Sequence, residues 1–238
     1  MKPVYFVGAG PGDADLITVK GRRLLEEADV LIYAGSLVSP DLVGISPATV
    51  KRSSHGMHLQ ELVDMMAGAA REGKNVVRLH SGDPSLYGAI VEQVLSLQDR
   101  NIPVEIVPGV SSMFAAAAAL GTQLTLRGVS ETLIVTRPAG KTLQSDHLRE
   151  LSVHGATMVV FLGTEQLEEI VRQVVYPPDT PAAVVYHASW EDEKIACAPL
   201  GKIAETARAL GIEKTALLII GRVVEPRTSG FVHSELYR

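Results

Sequence analysis

Cysteine is nearly absent from these 238 residues, with Cys197 the only one. One thiol excludes an intrachain disulfide framework and any paired-cysteine metal site, and it fits a reducing, cytoplasmic setting. An excess of positive charge is also missing. Lysine and arginine number 22 against 27 acidic residues, for a formal net charge of −5. A nucleic-acid binder ordinarily shows a basic footprint, so nucleic acid is not an expected partner. A few arginines could still gather at one anionic ligand. No apolar run approaches the roughly 18–20 residues of a membrane span, so no membrane partner is expected. The longest small apolar stretch, 115–120, is short and flanked by polar residues and glycine. The chain runs almost at once into Val4-Tyr5-Phe6-Val7, without the basic and then apolar leader of a signal peptide. Short-period repeats and low-complexity segments are lacking too.

Hydrophobic residues make up 46% of the chain and charged residues 21%, which suits a well-filled core. The first half alternates β-branched runs with helical patterns. Strands are predicted at 4–7, 29–33, 76–79 and 104–107. Leu59, Leu62, Val63, Met66 and Ala70 share one helix face, and Leu16, Leu24, Leu25 and Ala28 suggest another helix, weakened by Gly21. Strands separated by helices imply right-handed crossovers and a mainly parallel sheet. The glycine-bearing stretch 121–129 breaks the pattern and is expected as a linker between an α/β domain at 1–120 and a second α/β domain at 130–238. In the second half, strands are predicted at 132–136, 157–161, 182–186, 194–197 and 215–220. A helix through Leu167, Ile170, Val171 and Val174 has Thr164 as its expected N-cap and Pro177-Pro178 as its stop. Another runs through Leu200, Ile203, Ala204, Ala207 and Leu210, with Gly211 as its cap.

Three loops carry the chemistry, each after a predicted strand. The first is Gly8-Ala9-Gly10-Pro11-Gly12-Asp13. Glycines there let the backbone turn sharply and approach a ligand. A dinucleotide fingerprint requires G-x-G-x-x-G, and the third glycine comes one residue early. Pro11 also removes an N–H from any phosphate cradle, although Asp29 sits near the place of a ribose-binding acid. A nicotinamide-dependent oxidoreductase is therefore the alternative from another class. The second loop is His80-Ser81-Gly82-Asp83-Pro84-Ser85-Leu86-Tyr87-Gly88. Asp83 either faces a cationic ligand or caps the next helix, which Pro84 can start. The third is Pro108-Gly109-Val110-Ser111-Ser112, whose serines either cap a helix or hold a ligand. Ligands of open α/β sheets bind beyond the carboxyl ends of the strands, where all three loops fall. His55 and His58 lack a third ligand, so no metal is expected. Trp190 lies in a polar run that reads as a solvated turn.

Together these loops resemble the tetrapyrrole methylase family, the class III S-adenosylmethionine methyltransferases. The resemblance rests on Val7-Gly8-Ala9-Gly10-Pro11-Gly12-Asp13, on 78–88 and on Val107-Pro108-Gly109-Val110-Ser111-Ser112, and it extends over essentially the whole chain. Within the family, Tyr33-Ala34-Gly35-Ser36-Leu37-Val38, the run 185–195 and Lys214-Thr215-Ala216-Leu217 look like the precorrin-4 and cobalt-precorrin-4 C-11 methyltransferases of cobalamin synthesis. Relatives acting on another ring carbon, or on a protein as diphthine synthase does, are disfavoured by the element at 33–38. Uroporphyrinogen methyltransferases carry an acid and a lysine where this chain has Ala34 and Ser53-Ser54-His55-Gly56-Met57-His58, which argues against that substrate.

The resemblance implies two α/β domains, the first with a mainly parallel and the second with a mixed sheet, and S-adenosylmethionine folded into the interdomain cleft of a homodimer. By motif match, cofactor contacts fall on Pro11, Ser81, Gly82, Asp83, Leu86, Ser111 and Ser112. In the second domain they fall on Leu162, Ala188, Thr215, Ala216 and Leu217. The acceptor is an anionic tetrapyrrole whose carboxylates need cations, and arginine suits planar carboxylates. Arg52 and Arg137 are expected to face it, with Arg78 and Arg127 as further candidates. No catalytic base is assigned; His55, His58 and Tyr87 are the titratable candidates. A protein that only sequesters the tetrapyrrole is the non-enzymatic alternative.

Overall fold

A computed structural model describes residues 2–237 of the chain. It contains ten strands, β1 (Val4–Gly8), β2 (Val30–Tyr33), β3 (Val50–Ser53), β4 (Val76–His80), β5 (Val104–Val107), β6 (Leu133–Thr136), β7 (Thr157–Val160), β8 (Pro181–Tyr186), β9 (Lys194–Pro199) and β10 (Ala216–Ile220). The α-helices are α1 (Val19–Glu26), α2 (Pro40–Ile45), α3 (Leu59–Arg71), α4 (Val91–Gln98), α5 (Ser112–Ala119), α6 (Leu148–Ser152), α7 (Leu167–Gln173) and α8 (Leu200–Ala209). The chain divides into two compact units, Met1–Ser112 and Met113–Arg238.

In the first unit the strand order is β3-β2-β4-β1-β5, all parallel. The alternation of side chains along each strand sorts the apolar ones onto two faces. Val4, Phe6, Val30, Ile32 and Val76 pack with Leu62, Val63 and Met66 of α3 and Leu97 of α4. Val7, Leu31, Val77, Leu79 and Val107 pack on the other face with Leu25 of α1 and Leu42 of α2. Both faces are covered, as parallel sheets require. Of the predicted α3 stripe only Leu59 is exposed, because it sits in the first turn. Gly21 does not break α1. An added Cβ there would stand 3.0 Å from Val7 Cγ1, so the glycine lets the helix lie close to β1. Thr18 caps that helix by accepting from the Gly21 N–H.

The second unit holds a mixed sheet of order β6-β7-β10-β8-β9, parallel only between β6 and β7. Its core joins Met158, Val160, Val184, Leu218 and Ile220 to Leu167 and Ile170 of α7 and Leu200, Ile203 and Ala207 of α8. Gly211 ends α8 at φ +68, the left-handed turn its position predicts. The stretch 121–129 is compactly tied within this unit. Leu124 is buried, Leu126 pairs with Ser130, and the Thr122 hydroxyl donates to the Val223 carbonyl at 2.6 Å. Among the described residues no helix is long and apolar enough to cross a membrane.

Candidate functional site

Strands β1, β4 and β5 end side by side, with Gly8 in register with His80 and Val7 with Val107. The three glycine-bearing loops therefore emerge on one rim and are joined through backbone. Ala9 N–H donates to the His80 carbonyl at 2.7 Å, and Gly10 and Gly82 exchange hydrogen bonds of 2.8 and 3.3 Å. A Cβ on Gly8 would lie 2.5 Å from Gly109 Cα, and one on Gly109 would lie 2.8 Å from Gly8 Cα and closer still to the Gly82 carbonyl oxygen. These glycines exist so that the loops can touch, and no pyrophosphate cradle is needed to explain them. Asp29, the would-be ribose acid, accepts from the Asn75 N–H at 2.7 Å and ties β2 to the turn before β4. The loop at 8–13 enters a short 3-10 turn capped by Asp13, not a long helix. The nicotinamide alternative thus loses both of its sequence arguments.

Asp83 is neither a helix cap nor a free carboxylate. One oxygen accepts from Ser85 N–H at 2.8 Å and from the Ser85 hydroxyl, and the other accepts from Gly109 N–H at 2.8 Å. Burial opposes its ionisation, but the hydrogen bonds from Ser85 and Gly109 outweigh that and hold the carboxyl below its usual range. Pro84 begins a turn rather than a helix, and α4 starts only at Val91. The reason is Asp83, whose side chain closes an Asx turn over residues 83–85. Pro11 and Ser111 are buried, while Ser81, Gly82, Leu86 and Ser112 are half-buried along the same rim.

Beneath this rim lie two buried basic side chains of β4. His80 is 4% exposed, stacks on Phe6 at 5.8 Å and, among the described residues, finds no hydrogen-bond partner for Nε2. Burial, and secondarily the Arg78 charge, push its pKa down to about 3. The imidazole is neutral in the fold and gains a proton on unfolding once the pH drops below the ordinary histidine value of 6.5. Stability should then fall with pH from about 6.5 towards about 3, by about 1.4 kcal/mol per unit from this group. Urea denaturation between about pH 7 and about pH 5 tests it, because His80→Gln should flatten the slope. Equal slopes in the two proteins would refute the assignment.

The second unit has a corresponding rim. β7 and β8 end where the antiparallel β10 begins, with Ala216 opposite Tyr186 and Leu218 opposite Val160. Leu162 follows β7, Ala188 follows β8 and Thr215 precedes β10, so the five candidate residues of this unit share one edge. Thr164 is not the N-cap of α7. Its hydroxyl donates to the Ala216 carbonyl and accepts from the Ala216 N–H, both at 3.0 Å, and a 3-10 turn intervenes before α7. Thr164 instead binds the turn after β7 to the start of β10.

Backbone strain marks the same segments. Among the described residues seven non-glycine positions have positive φ: Tyr87, Ala89, Asn101, Leu162, His187, Ser189 and Thr215. Leu162 and Thr215 are themselves candidates, His187 and Ser189 flank Ala188, and Tyr87 and Ala89 follow Leu86. Such residues cost energy and cluster where function over-determines the backbone. The polar run around Trp190 is also ordered. His187 stacks on Tyr186 at 3.8 Å and on Trp190 at 5.1 Å, and its Nδ1 meets the Asp192 carboxylate at 2.9 Å. That constellation was not legible as a site in a run of acidic residues. Two aromatics and a histidine within five positions were the available signal.

The remaining candidates are dispersed. His55 and His58 are exposed between β3 and α3, and Tyr87 is exposed after Leu86. Arg52 is exposed on the edge strand β3 of the first unit. Arg137, in the second unit, donates to the Thr142 hydroxyl at 2.8 Å. Arg127 donates to the His233 carbonyl and to Glu235, and Arg78 is only 4% exposed, which removes Arg78 from the pool of substrate-facing cations. The side chain of Ser36, in the element at 33–38, lies outside the described residues.

Comparison with known proteins matches this arrangement. Residues 3–204 fit the sequence profile of the tetrapyrrole (corrin/porphyrin) methylases. The chain is 49% identical to the cobalt-precorrin-4 C(11)-methyltransferase of Methanocaldococcus jannaschii, over 99% of this chain and 93% of that protein. The X-ray structure of a cobalt-precorrin-4 methyltransferase of cobalamin biosynthesis superposes with a TM-score of 0.91 at 43% identity, covering 94% of this chain and 96% of the other. A uroporphyrin-III C-methyltransferase from Thermus thermophilus, solved with S-adenosylhomocysteine, gives 0.77 at 32% identity, covering 94% of each chain. With paired α/β units, glycine-tied loops on the rim of the parallel sheet and near full-length identity to such enzymes, this chain belongs to the tetrapyrrole methylase family.

Proposed function

We propose that the protein transfers a methyl group from S-adenosylmethionine to carbon 11 of cobalt-precorrin-4 or precorrin-4 in cobalamin biosynthesis. The observation that carries this reading is the near full-length identity to a C(11)-methyltransferase. It is supported by the run 185–195, whose Tyr186, His187, Trp190 and Asp192 form one ordered cluster.

The cofactor-holding residues are Pro11, Ser81, Gly82, Asp83, Leu86, Ser111 and Ser112 in the first unit, and Leu162, Ala188, Thr215, Ala216 and Leu217 in the second. The strained backbone at or beside them suits a ligand held by main-chain groups. When bound, S-adenosylmethionine supplies an already electrophilic methyl on its sulfonium. The protein's contribution is therefore positioning, with reacting atoms held roughly 3–3.5 Å apart. Asp83 serves by fixing the Ser81–Leu86 and Gly109–Ser112 backbones together rather than by pairing with the cation. Arg52 and Arg137 receive carboxylates of the anionic acceptor. The protein works in the cytoplasm as a homodimer, as the resemblance to the family implies.

Incubation with S-adenosylmethionine and precorrin-4, with and without cobalt, tests the assignment. NMR should place the new methyl on carbon 11. A methyl at another carbon, or none with either acceptor, would reject the assignment.

A further inference from the structure

Arg78 is 4% exposed in the middle of the first sheet, and among the described residues no carboxylate lies within ion-pair distance of it. It sits opposite Phe6 and Ile32 in the strand register, on the face covered by α3 and α4. A buried, uncompensated cation is costly, and an apolar side chain would fill the same space more cheaply. Burial lowers its pKa only to about 10, so the guanidinium remains charged at neutral pH. Its Nε–H donates to Gln93 Oε1 at 3.3 Å, and a second nitrogen donates to the Leu79 carbonyl at 3.4 Å. Gln93, itself 5% exposed, then donates from Nε2 to the Ala89 carbonyl at 3.0 Å. Ala89 has φ +49 and closes the loop that began at Ser81. Gly88 packs so tightly on Pro84 that a Cβ would stand 3.0 Å from the Pro84 carbonyl carbon.

We propose that Arg78 and Gln93 are positioning residues: a buried relay from β4 through α4 that locks the strained end of loop 81–90 and so presets Ser81, Gly82, Asp83 and Leu86 for the cofactor. The inference rests on the reading that this loop holds S-adenosylmethionine. Asp83 anchors the loop at its beginning, through Ser85 and Gly109. The relay anchors its end, where Tyr87 and Ala89 would otherwise relax to ordinary φ. The charge on Arg78 fixes which way the Gln93 amide points, because a cation accepts no hydrogen bond and must face Oε1. That leaves Nε2 directed at Ala89. A neutral partner in its place would not impose this orientation.

The double variant Arg78→Met/Gln93→Met removes the relay without orphaning either partner, a change that is often nearly neutral for stability. Its thermal midpoint should match the wild type. Amide hydrogen exchange across 81–90 should quicken. Calorimetry should show S-adenosylhomocysteine bound about ten-fold more weakly, the scale on which small misplacements of site groups are felt. KM for S-adenosylmethionine should rise with kcat largely kept. Gln93→Glu gives Arg78 a carboxylate but cannot donate to Ala89, so it should be at least as stable as wild type yet show the same weakened binding. Arg78→Lys, which still donates to Gln93, should restore most of the affinity. Binding within two-fold of wild type together with unchanged exchange in the double variant would overturn the proposal. If the double variant does not fold, the same result in Gln93→Glu overturns it. If the wild type binds no S-adenosylhomocysteine, the cofactor reading fails instead, and exchange across 81–90 alone decides whether the relay locks the loop.

Discussion

Gly109→Ala should lower stability by about 3 kcal/mol and remove measurable S-adenosylhomocysteine binding, the upper end of what overpacking costs. The added methyl meets backbone on two sides, Gly8 Cα at 2.8 Å and the Gly82 carbonyl oxygen. Backbone of a central strand cannot swing aside as a side-chain tip can. Relief must therefore come from separating the first and third loops, which also breaks the Asp83–Gly109 hydrogen bond. Gly68→Ala is the matched control. Among the described residues nothing beyond its chain neighbours and its own helix backbone lies within 4 Å of its would-be Cβ, and it sits inside α3, so the same change should stabilise by about 0.5–1 kcal/mol. Urea denaturation and calorimetry on the two variants decide the matter. A Gly109→Ala protein as stable and as competent as wild type would show that the loops do not need their contact.

Asp83→Ala is expected to weaken S-adenosylhomocysteine binding by about two orders of magnitude, the effect of a displaced site segment, and to cost about 2 kcal/mol for lost hydrogen bonds to a charged acceptor. Gly109 N–H and both Ser85 donors lose their partner at once. The stabilisation these bonds give also has a pH signature. Since the folded carboxyl titrates below the ordinary aspartate value of 3.8, the contribution is complete above that value and disappears as the pH falls through the lower, folded one. Asp83→Ala should lack this acid-side loss. Retained binding in the variant would mean that the turn at 83–85 holds its shape unaided.

Much of the first unit was legible because its signals are local. The strands at 4–7, 76–79 and 104–107 are β-branched runs each followed by glycine, and α3 has a clean helical stripe. β3 escaped because Val50-Lys51-Arg52-Ser53 is a polar, exposed edge strand with no apolar alternation. α2 and α6 are too short for a periodicity to register. Thr164 and Pro84 depart from their expected roles for a shared reason. Each residue type suits a helix start, and a partner distant in sequence or one position away claimed it first. The glycines of the first loop are irregular for a dinucleotide by spacing alone, yet their purpose rests on Gly109, some hundred residues on. Gln93 left a faint local trace as a polar residue among Val91, Val94, Leu95 and Leu97.

β1 precedes both of its partners in the chain yet occupies an interior place in its sheet, between β4 and β5. During synthesis one flank stays bare until β4 has emerged and the other until β5 has, at residue 107, an exposure that invites wrong partners or chaperones. Contacts this remote in sequence also slow the search for the native pairing. Expression should accordingly suffer sharply from the loss of Val4–Gly8, which would leave β4 and β5 with nothing between them.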